Sequence, residues 1–174
     1  DTATTGKIIV DKENVSKFTA KRLTTYRRYD IGFVFQFYNL VQNLTVRENV
    51  ELATQICKNP LDVDEVIEAV GLKERSSNFP AQLSGGEQQR VAIARAISHS
   101  PKIIFADEPT AELDSPTAMA VMKLFRDLVR QNDLTIVMTT HDTTMMDLAD
   151  IVYTLEDGVI SDVKENQPEE GADA

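Results

Sequence analysis

The second half of the chain alternates short apolar runs with longer amphipathic stretches. Residues 102–106 and 134–140 are apolar runs typical of buried β-strands, and residues 115–132 show the 3.6-residue period of an amphipathic helix. The pattern then predicts a short helix and a two-stranded hairpin, at residues 143–149, 151–155 and 159–160. A strand, a long helix and a second strand in this order predict a βαβ unit, and therefore a parallel sheet.

The first half begins with mixed segments and then becomes helical. Residues 6–11 and 31–36 predict short strands, with a helix over residues 15–29 between them. Further helices are predicted at residues 46–56, 64–70 and 84–98. The last of these begins with a Ser-x-x-Glu capping box, which is a typical start of a helix.

These patterns divide the chain into four parts. Residues 1–38 and 99–163 form an α/β core, and residues 39–98 form a helical subdomain between its two parts. Residues 164–174 are polar and acidic, which predicts a disordered tail. We therefore expect one α/β core with a helical insertion.

Composition narrows the possible function classes. The chain has 174 residues, with 18 Lys+Arg against 28 Asp+Glu and a net charge of −10. This balance predicts poor non-specific binding of nucleic acid, because binding to a phosphate backbone needs a basic face. Net charge alone leaves a local basic patch open, and the prediction for this chain is no nucleic acid partner. The single cysteine, Cys57, excludes an intrachain disulfide and a cysteine-based zinc site. No run reaches the ~18 apolar residues of a membrane-spanning helix.

Two glycines stand at the start of the helix predicted over residues 84–98. The segment reads Ser84, Gly85, Gly86, Glu87. A helix start of this kind leaves backbone N–H groups free for an anion, ideally a phosphate. The alternative is a plain glycine-rich helix cap, and the segment alone leaves both interpretations open.

Candidate catalytic side chains follow the predicted strands. Asp107 and Glu108 end one strand, His141 follows another, and Gln36 closes a third. The carboxyl ends of parallel strands meet at one edge of a sheet, where ligands bind. Asp107 can hold Mg²⁺, and Glu108 can polarise an attacking water. Ordinary structural roles for all four residues are the alternative, and His99, which has no such context, is expected to be structural.

Taken together, these residues resemble the nucleotide-binding subunit of ATP-binding-cassette (ABC) transporters. Residues 83–88 are similar to the signature loop of that family, and residues 103–108 are similar to its Walker B strand with the catalytic glutamate. The other matches are the D-loop, the switch histidine and the Q-loop glutamine, at residues 112–114, His141 and Gln36. The resemblance covers nearly the whole chain, from residue 1 to about residue 161.

The resemblance implies a RecA-like P-loop NTPase core, with ATP and Mg²⁺ as cofactors. It implies that Glu108 is the general base, that Asp107 and Gln36 act at Mg²⁺ and the water, and that His141 senses the γ-phosphate. It also implies a homodimer that sandwiches two ATP molecules between its subunits. The nucleotide-binding residues carried over from the family are Ser84, Gly85, Gly86, Glu87, Gln36 and Asp114.

A finer resemblance lies in residues 27–50. This segment is similar to the branch that serves lipoprotein release, macrolide export and cell division. The family implies a membrane permease subunit as partner, with its coupling helix docked near residues 36–50. It also implies a cytoplasmic location, peripheral on the inner face of the cell membrane.

One family element has no match in the sequence. None of the seven glycines begins the phosphate-binding (Walker A) pattern Gly-x-x-x-x-Gly-Lys-[Ser/Thr]. Residues 2–11 resemble the segment that follows this loop and its helix. We therefore expect that the N-terminal part of the core is missing, that apolar sheet faces are exposed, and that this chain alone binds ATP poorly.

Three alternative functions follow from related architectures. A non-catalytic structural or dimerising role stays open for this chain by itself. A DNA-maintenance ATPase would carry a long coiled-coil or cysteine–zinc insertion between Gln36 and Ser84, where this chain has a short segment with Cys57 as its one cysteine. A ribosome-associated protein would need two cassettes and usually a basic linker.

Overall fold

The computed structural model describes residues 4–166. Its strands are β1 (Ile9–Val10), β2 (Glu13–Asn14), β3 (Ile31–Val34), β4 (Ile103–Asp107), β5 (Thr135–Thr139), β6 (Ile151–Glu156) and β7 (Val159–Glu165). Its α-helices are α1 (Ala20–Tyr29), α2 (Val46–Thr54), α3 (Val63–Ala69), α4 (Gly85–Ile97) and α5 (Ser115–Gln131). The predicted α/β class is confirmed, with strands and helices interleaved along the chain.

The centre of the fold is a three-stranded parallel sheet in the order β3-β4-β5. One of its faces is buried: Ile104 in the middle strand is fully inaccessible to solvent and belongs to the main hydrophobic core with residues of α4 and α5. Gly32 of β3 lies on this buried face, at a position with no room for a larger residue. An added Cβ would stand 2.6 Å from the Ala96 carbonyl oxygen of α4.

The opposite face of the sheet is apolar and exposed. Phe33, Phe105 and Val137 are in register across the three strands, and their exposed fractions are 42%, 38% and 48%. The rings of Phe33 and Phe105 stack with centroids 5.9 Å apart. The exposed apolar face expected from the sequence is therefore present in the described residues.

The chain between β3 and β4 is helical, and its helices α2 and α3 pack against α4. The side chain of Thr45 and that of Glu48 form a capping box at the start of α2, and Asp62 caps α3. Asn49 of α2 is fully buried, and its amide bonds to the main chain of Val41 and of the residues that precede the helix. The hydrogen bonds of this buried amide hold the loop between β3 and α2 against α2.

The N-terminal elements differ from the prediction. The chain forms a small antiparallel hairpin of β1 and β2 in place of one strand over residues 6–11. Residues 15–29 do not form one helix: a 3₁₀ turn over Val15–Lys17 comes first, Phe18 is extended, and α1 begins after its N-cap Thr19. The Thr19 side chain accepts a hydrogen bond from the Arg22 amide, and this local cap sets the start of the helix.

The C-terminal elements also differ from the prediction. Strand β7 continues to Glu165 in its pairing with β6, so residues 164 and 165 are strand where the sequence predicted the beginning of a tail. Asn166 then donates hydrogen bonds to the carbonyl groups of Met146 and Ala149. The rest of the predicted tail, residues 167–174, lies outside the described residues. The predicted helix at residues 143–149 is a 3₁₀ helix over Thr143–Leu148.

No helix within residues 4–166 combines the length and the apolar composition needed to cross a lipid bilayer.

Candidate functional site

The site is built at the carboxyl edge of the parallel sheet, where β4 ends. Glu108 is the first residue after β4, and its φ of +47° lies in the left-handed region that a non-glycine residue rarely adopts. Its backbone N–H donates to the carbonyl oxygen of Thr139 at 3.1 Å and to the hydroxyl of Thr139 at 3.2 Å. Unfavourable backbone conformations of this kind persist where neighbouring contacts enforce them, and they cluster at functional sites.

Thr139 connects the ends of β4 and β5. Its hydroxyl donates to Oδ1 of Asp107 at 2.6 Å while accepting from the Glu108 amide. The two acidic residues predicted from the sequence are therefore held by one hydroxyl group of the neighbouring strand. Thr139 was not among the residues predicted for the site, because the register that places it opposite Asp107 is a property of the sheet.

His141 lies beside the carboxylate of Glu108, as the order of motifs predicted. Its Nδ1 is 2.8 Å from Oε1 and 2.7 Å from Oε2 of Glu108. The hydrogen bond and the negative charge of Glu108 raise the pKa of His141 above its ordinary value. Because the His141 side chain is 78% exposed, this pair contributes little to stability and is significant for its geometry.

A cavity of about 340 Å³ opens beside this pair. Its lining residues come from the turn after β4 and from the segment after β5: Glu108, Thr110, Ala111, Leu113, Thr140, His141, Asp142 and Thr143. The predicted catalytic residues Glu108 and His141 therefore lie in one concave site. The glycine-rich segment at the start of α4 does not line this cavity.

Gln36 lies two residues beyond β3, at the same edge of the sheet. Val34 at the end of β3 pairs with Ala106, one residue before Asp107. The Gln36 amide donates through Nε2 to Oε1 of Glu112 at 3.2 Å. The interaction engages the amide nitrogen of Gln36, and the amide oxygen is the atom suited to a metal or a water. Glu112 belongs to the segment matched to the D-loop, but its contact with Gln36 was not predicted, because the two residues are 76 positions apart in the sequence.

The glycine-rich segment forms the start of α4, with the capping box predicted for it. The Ser84 hydroxyl accepts a hydrogen bond from the Glu87 amide, and Oε2 of Glu87 accepts one from the Ser84 amide. The hydrogen bond from the Ser84 backbone, aided by Arg75, lowers the pKa of Glu87. Glu87 is thus an ionised capping residue, and its carboxylate accepts hydrogen bonds from the Ser84 amide and from the Arg75 side chain.

The two glycines of this segment permit close packing around the helix start. A Cβ at Gly85 would meet the Tyr38 hydroxyl at 2.8 Å, and a Cβ at Gly86 would meet Cγ2 of Thr117 at 2.3 Å. The segment therefore contacts both the chain after β3 and the start of α5. Asp114, a predicted nucleotide-binding residue, is the N-cap of α5, and its side chain accepts from the Thr117 amide at 3.3 Å.

The donor set at the sheet edge fits Mg²⁺ bound together with a phosphate ligand. Within residues 4–166, no group of three or more His, Cys, Asp or Glu side chains is arranged to hold a metal by itself. Mg²⁺ is usually held by one or two carboxylates, several waters and the phosphates of the substrate. Asp107 suits that arrangement, because its Oδ1 accepts a hydrogen bond from Thr139 and its carboxylate has a second oxygen, Oδ2, with which to bind a metal.

We expect the two histidines to titrate in opposite directions from the ordinary value. Glu108 raises the pKa of His141, whereas burial lowers the pKa of His99, whose Nε2 lies 3.0 Å from the Ile31 carbonyl oxygen. NMR titration of the ring protons resolves both, because the chain has two histidines. Glu108→Gln is expected to lower the pKa of His141 and to leave that of His99 unchanged.

The small contribution of the His141–Glu108 pair to stability depends on pH, because the pKa of His141 is raised in the folded protein. The stabilisation from the His141–Glu108 pair is fully present below the unfolded-state pKa of about 6.5 and is lost as the pH rises through the raised folded-state pKa. A His141 titration that does not respond to Glu108→Gln would contradict the pairing. The His99 curve, recorded in the same spectra, controls for a general structural change.

Comparisons with known proteins agree on one family. A family model described as "ABC transporter" matches residues 1–111. An uncharacterized ABC transporter ATP-binding protein of Mycobacterium tuberculosis is 40% identical over 97% of this chain and 71% of its own length. The lipoprotein-releasing system ATP-binding protein LolD of Cytophaga hutchinsonii is 41% identical over 92% of this chain and 75% of its own length.

Coverage differs among the relatives. A putative ABC transporter ATP-binding protein of Mycoplasma pneumoniae is 40% identical over 95% of this chain, which spans 36% of that relative. Among solved structures, a dimer of the ATP-binding cassette MJ0796 in a post-hydrolysis state, bound to ADP and Pi, superposes with a TM-score of 0.81. It is 35% identical, and the match covers 97% of this chain and 76% of that one.

The family resemblance predicted from the motifs is thus confirmed by sequence and by fold. The matched relatives are ATP-binding proteins, and the matched structure has the RecA-like fold expected for the core. The family model covers the candidate residues from Gln36 to Glu108, and the structural match extends over nearly all of the chain. This protein chain belongs to the ABC transporter family, in which it is an ATP-binding cassette.

Proposed function

We propose that the whole protein hydrolyses ATP and that Glu108 is the general base. The observation that carries the proposal is the position of the Glu108 carboxylate, which lines a cavity at the sheet edge and contacts His141 through both oxygens. A carboxylate placed there accepts a proton from the water that attacks the γ-phosphate, and ADP is the leaving group. His141 orients Glu108 before the reaction and responds to the γ-phosphate.

Asp107 and Gln36 are the residues that would hold Mg²⁺ in this proposal. When bound, Mg²⁺ neutralises charge on the β- and γ-phosphate oxygens. The Thr139 hydroxyl restrains Asp107 by donating to Oδ1 at 2.6 Å, and Glu112 restrains Gln36 through its Nε2. Both side chains are therefore positioned at the sheet edge before a ligand arrives, which reduces the cost of ordering them on binding.

The glycine-rich segment would act on ATP held by a second copy of the protein. Ser84 and Gly86 lie outside the cavity that Glu108 lines, so their contribution to a nucleotide in that cavity of the same subunit is not supported. The start of α4 offers backbone N–H groups to a phosphate, and a homodimer brings such a helix start to the partner's site. Gly85, Glu87 and Asp114 would form the surroundings of that phosphate. The likeness to the dimeric MJ0796 cassette supports this arrangement.

A membrane permease subunit is the proposed partner, and it places the protein on the inner face of the cell membrane. Two apolar side chains that follow Gln36 in the sequence are exposed: Phe37 is 68% exposed and Val41 39%. They would receive a coupling helix of the permease. The 41% identity to a LolD protein, which is named for lipoprotein release, supports the finer resemblance to that branch.

A second candidate function is association without hydrolysis. The exposed apolar face formed by Phe33, Phe105 and Val137 favours it, because such faces promote contact with another surface. The two candidates differ in one measurement. If the full-length protein forms a stable dimer without ATP and has no ATPase activity, the second candidate is supported and the first is contradicted.

The proposed function is tested by Mg²⁺-dependent ATP hydrolysis of the full-length protein. We expect Asp107→Asn to raise the Mg²⁺ concentration for half-maximal activity roughly tenfold, because it removes the negative charge of a metal-binding oxygen. Thr139→Ser, which keeps the hydroxyl group, is the matched control and should retain the wild-type Mg²⁺ dependence. An Asp107→Asn protein with unchanged Mg²⁺ dependence would exclude Asp107 as a metal ligand.

A further inference from the structure

Helix α4 carries a buried amide that is outside the glycine-rich segment and outside the cavity. Gln89 has no solvent-exposed surface, and its Nε2 donates a hydrogen bond to the carbonyl oxygen of Pro109 at 2.7 Å. Pro109 directly follows Glu108 and is itself buried. A buried side chain of one element is therefore bonded to the main chain of the turn that bears the proposed base.

The turn after β4 needs such a contact, because its own hydrogen bonds are few. Glu108 has a left-handed backbone, and Pro109 has no N–H to donate. The turn is held at its beginning by Thr139 and within itself by the bonds from the Ala111 amide to the Glu108 carbonyl and from the Leu113 amide to the Thr110 carbonyl. Gln89 supplies the bond that anchors the turn to a helix.

The same face of α4 also contacts the element that follows the turn. Gly86 lies one helical turn before Gln89, and its lack of a Cβ allows Thr117 of α5 to approach it closely. Residues three apart on a helix share one face. One face of α4 therefore holds both the turn after β4 and the start of α5, so a displacement of α4 displaces the turn.

We propose that Gln89 is a positioning residue for Glu108. Its amide fixes the Pro109 carbonyl, and this bond sets the backbone geometry that points the Glu108 carboxylate towards His141 and the cavity. The inference concerns catalysis by Glu108, so it rests on the proposed ATPase function. Small displacements of a catalytic group lower the rate of reaction strongly, even when binding is unaffected.

Stability by itself does not explain a glutamine at this position. Oε1 of Gln89 is buried and has no hydrogen-bond partner among the described residues, which is unfavourable for folding. A methionine of similar length would remove that unpaired oxygen and leave the Pro109 carbonyl unpaired in its place. Gln89→Met is therefore expected to change overall stability little while it abolishes the anchor of the turn.

The test combines hydrogen exchange with kinetics on the full-length protein. In Gln89→Met, we expect faster amide hydrogen exchange in a peptide covering residues 107–114, and a roughly tenfold or greater fall in kcat with KM for ATP near the wild-type value. The matched control is Ser98→Ala, which removes a buried hydroxyl bonded to Val50 at the other end of α4. It should change neither measurement.

Each outcome decides the proposal. Unchanged exchange in residues 107–114, or an unchanged kcat in an active protein, would overturn the role of Gln89. If the wild-type protein does not hydrolyse ATP, the proposed function fails, and the exchange measurement still decides whether Gln89 holds the turn. If Gln89→Met does not fold, Gln89→Asn replaces it: this variant keeps the amide but is one methylene too short to reach Pro109, and the same exchange result is expected.

Discussion

Glu108→Gln in the full-length protein is expected to lower kcat for ATP hydrolysis by about 10²–10⁴-fold, the usual contribution of a general base. Glutamine has nearly the same shape and retains a hydrogen-bonding oxygen, but it does not accept a proton from the attacking water. ATP binding should stay near the wild-type level, because the change leaves Asp107, Gln36 and the glycine-rich segment intact. The measurements are steady-state ATPase activity and equilibrium binding of ATP.

The same substitution at a glutamate outside the site controls for the change in the net charge of the protein. Glu65→Gln removes an exposed carboxylate from the first turn of α3, outside the sheet edge, and should leave kcat unchanged. Near-normal hydrolysis by Glu108→Gln would refute Glu108 as the base. Loss of ATP binding together with hydrolysis would instead assign Glu108 to substrate binding, which the proposal does not allow.

Gly32→Ala is expected to destabilise the fold strongly for the addition of a single methyl group. The new Cβ would stand 2.6 Å from the Ala96 carbonyl oxygen and 3.2 Å from Cγ1 of Ile104. The first of these atoms is backbone, which does not move without shifting α4 from the sheet. We expect the free energy of unfolding to fall by about 2–3 kcal/mol and Tm to fall by roughly 5–10 °C. Thermal and chemical denaturation followed by circular dichroism measure both.

A second glycine provides the control for Gly32. Gly158 lies in the turn between β6 and β7 with a φ of +78°, and nothing stands within 4 Å of an added Cβ. Gly158→Ala should therefore cost only the backbone strain of a left-handed alanine, about 1 kcal/mol. If Gly32→Ala is no more destabilising than Gly158→Ala, the close contact between β3 and α4 does not limit stability.

The elements predicted best from the sequence are those whose ends are set locally. Helix α4 begins at a capping box whose two side chains are three residues apart, and α5 begins with a proline after the cap Asp114. Both helices have the predicted positions, because periodicity and capping are read within one or two turns of chain. The N-terminal helix was placed too early, since the sequence pattern did not reveal the cap at Thr19.

The length of strand β7 could not be predicted from the local sequence pattern. Its residues from Ser161 to Glu165 are mostly polar and exposed, so the sequence predicted that the strand stops at residue 160. Pairing with β6 supplies the backbone hydrogen bonds that extend the strand to Glu165. An edge strand that is exposed along its whole length needs a partner strand rather than an apolar pattern, and only the fold provides that partner.

Some features of the candidate site could likewise be predicted from the sequence, and others depend on the tertiary structure. The sequence alone determined the family, the parallel sheet, and the positions of Asp107, Glu108 and His141 at strand ends, because these depend on residue type and spacing along the chain. The tertiary structure alone decided that Thr139 holds Asp107, that Glu112 holds Gln36, and that Gln89 anchors Pro109. Each of these contacts joins side chains and backbone that lie 20 or more residues apart. Such contacts depend on strand register and helix packing, and neither leaves a local signal in the sequence.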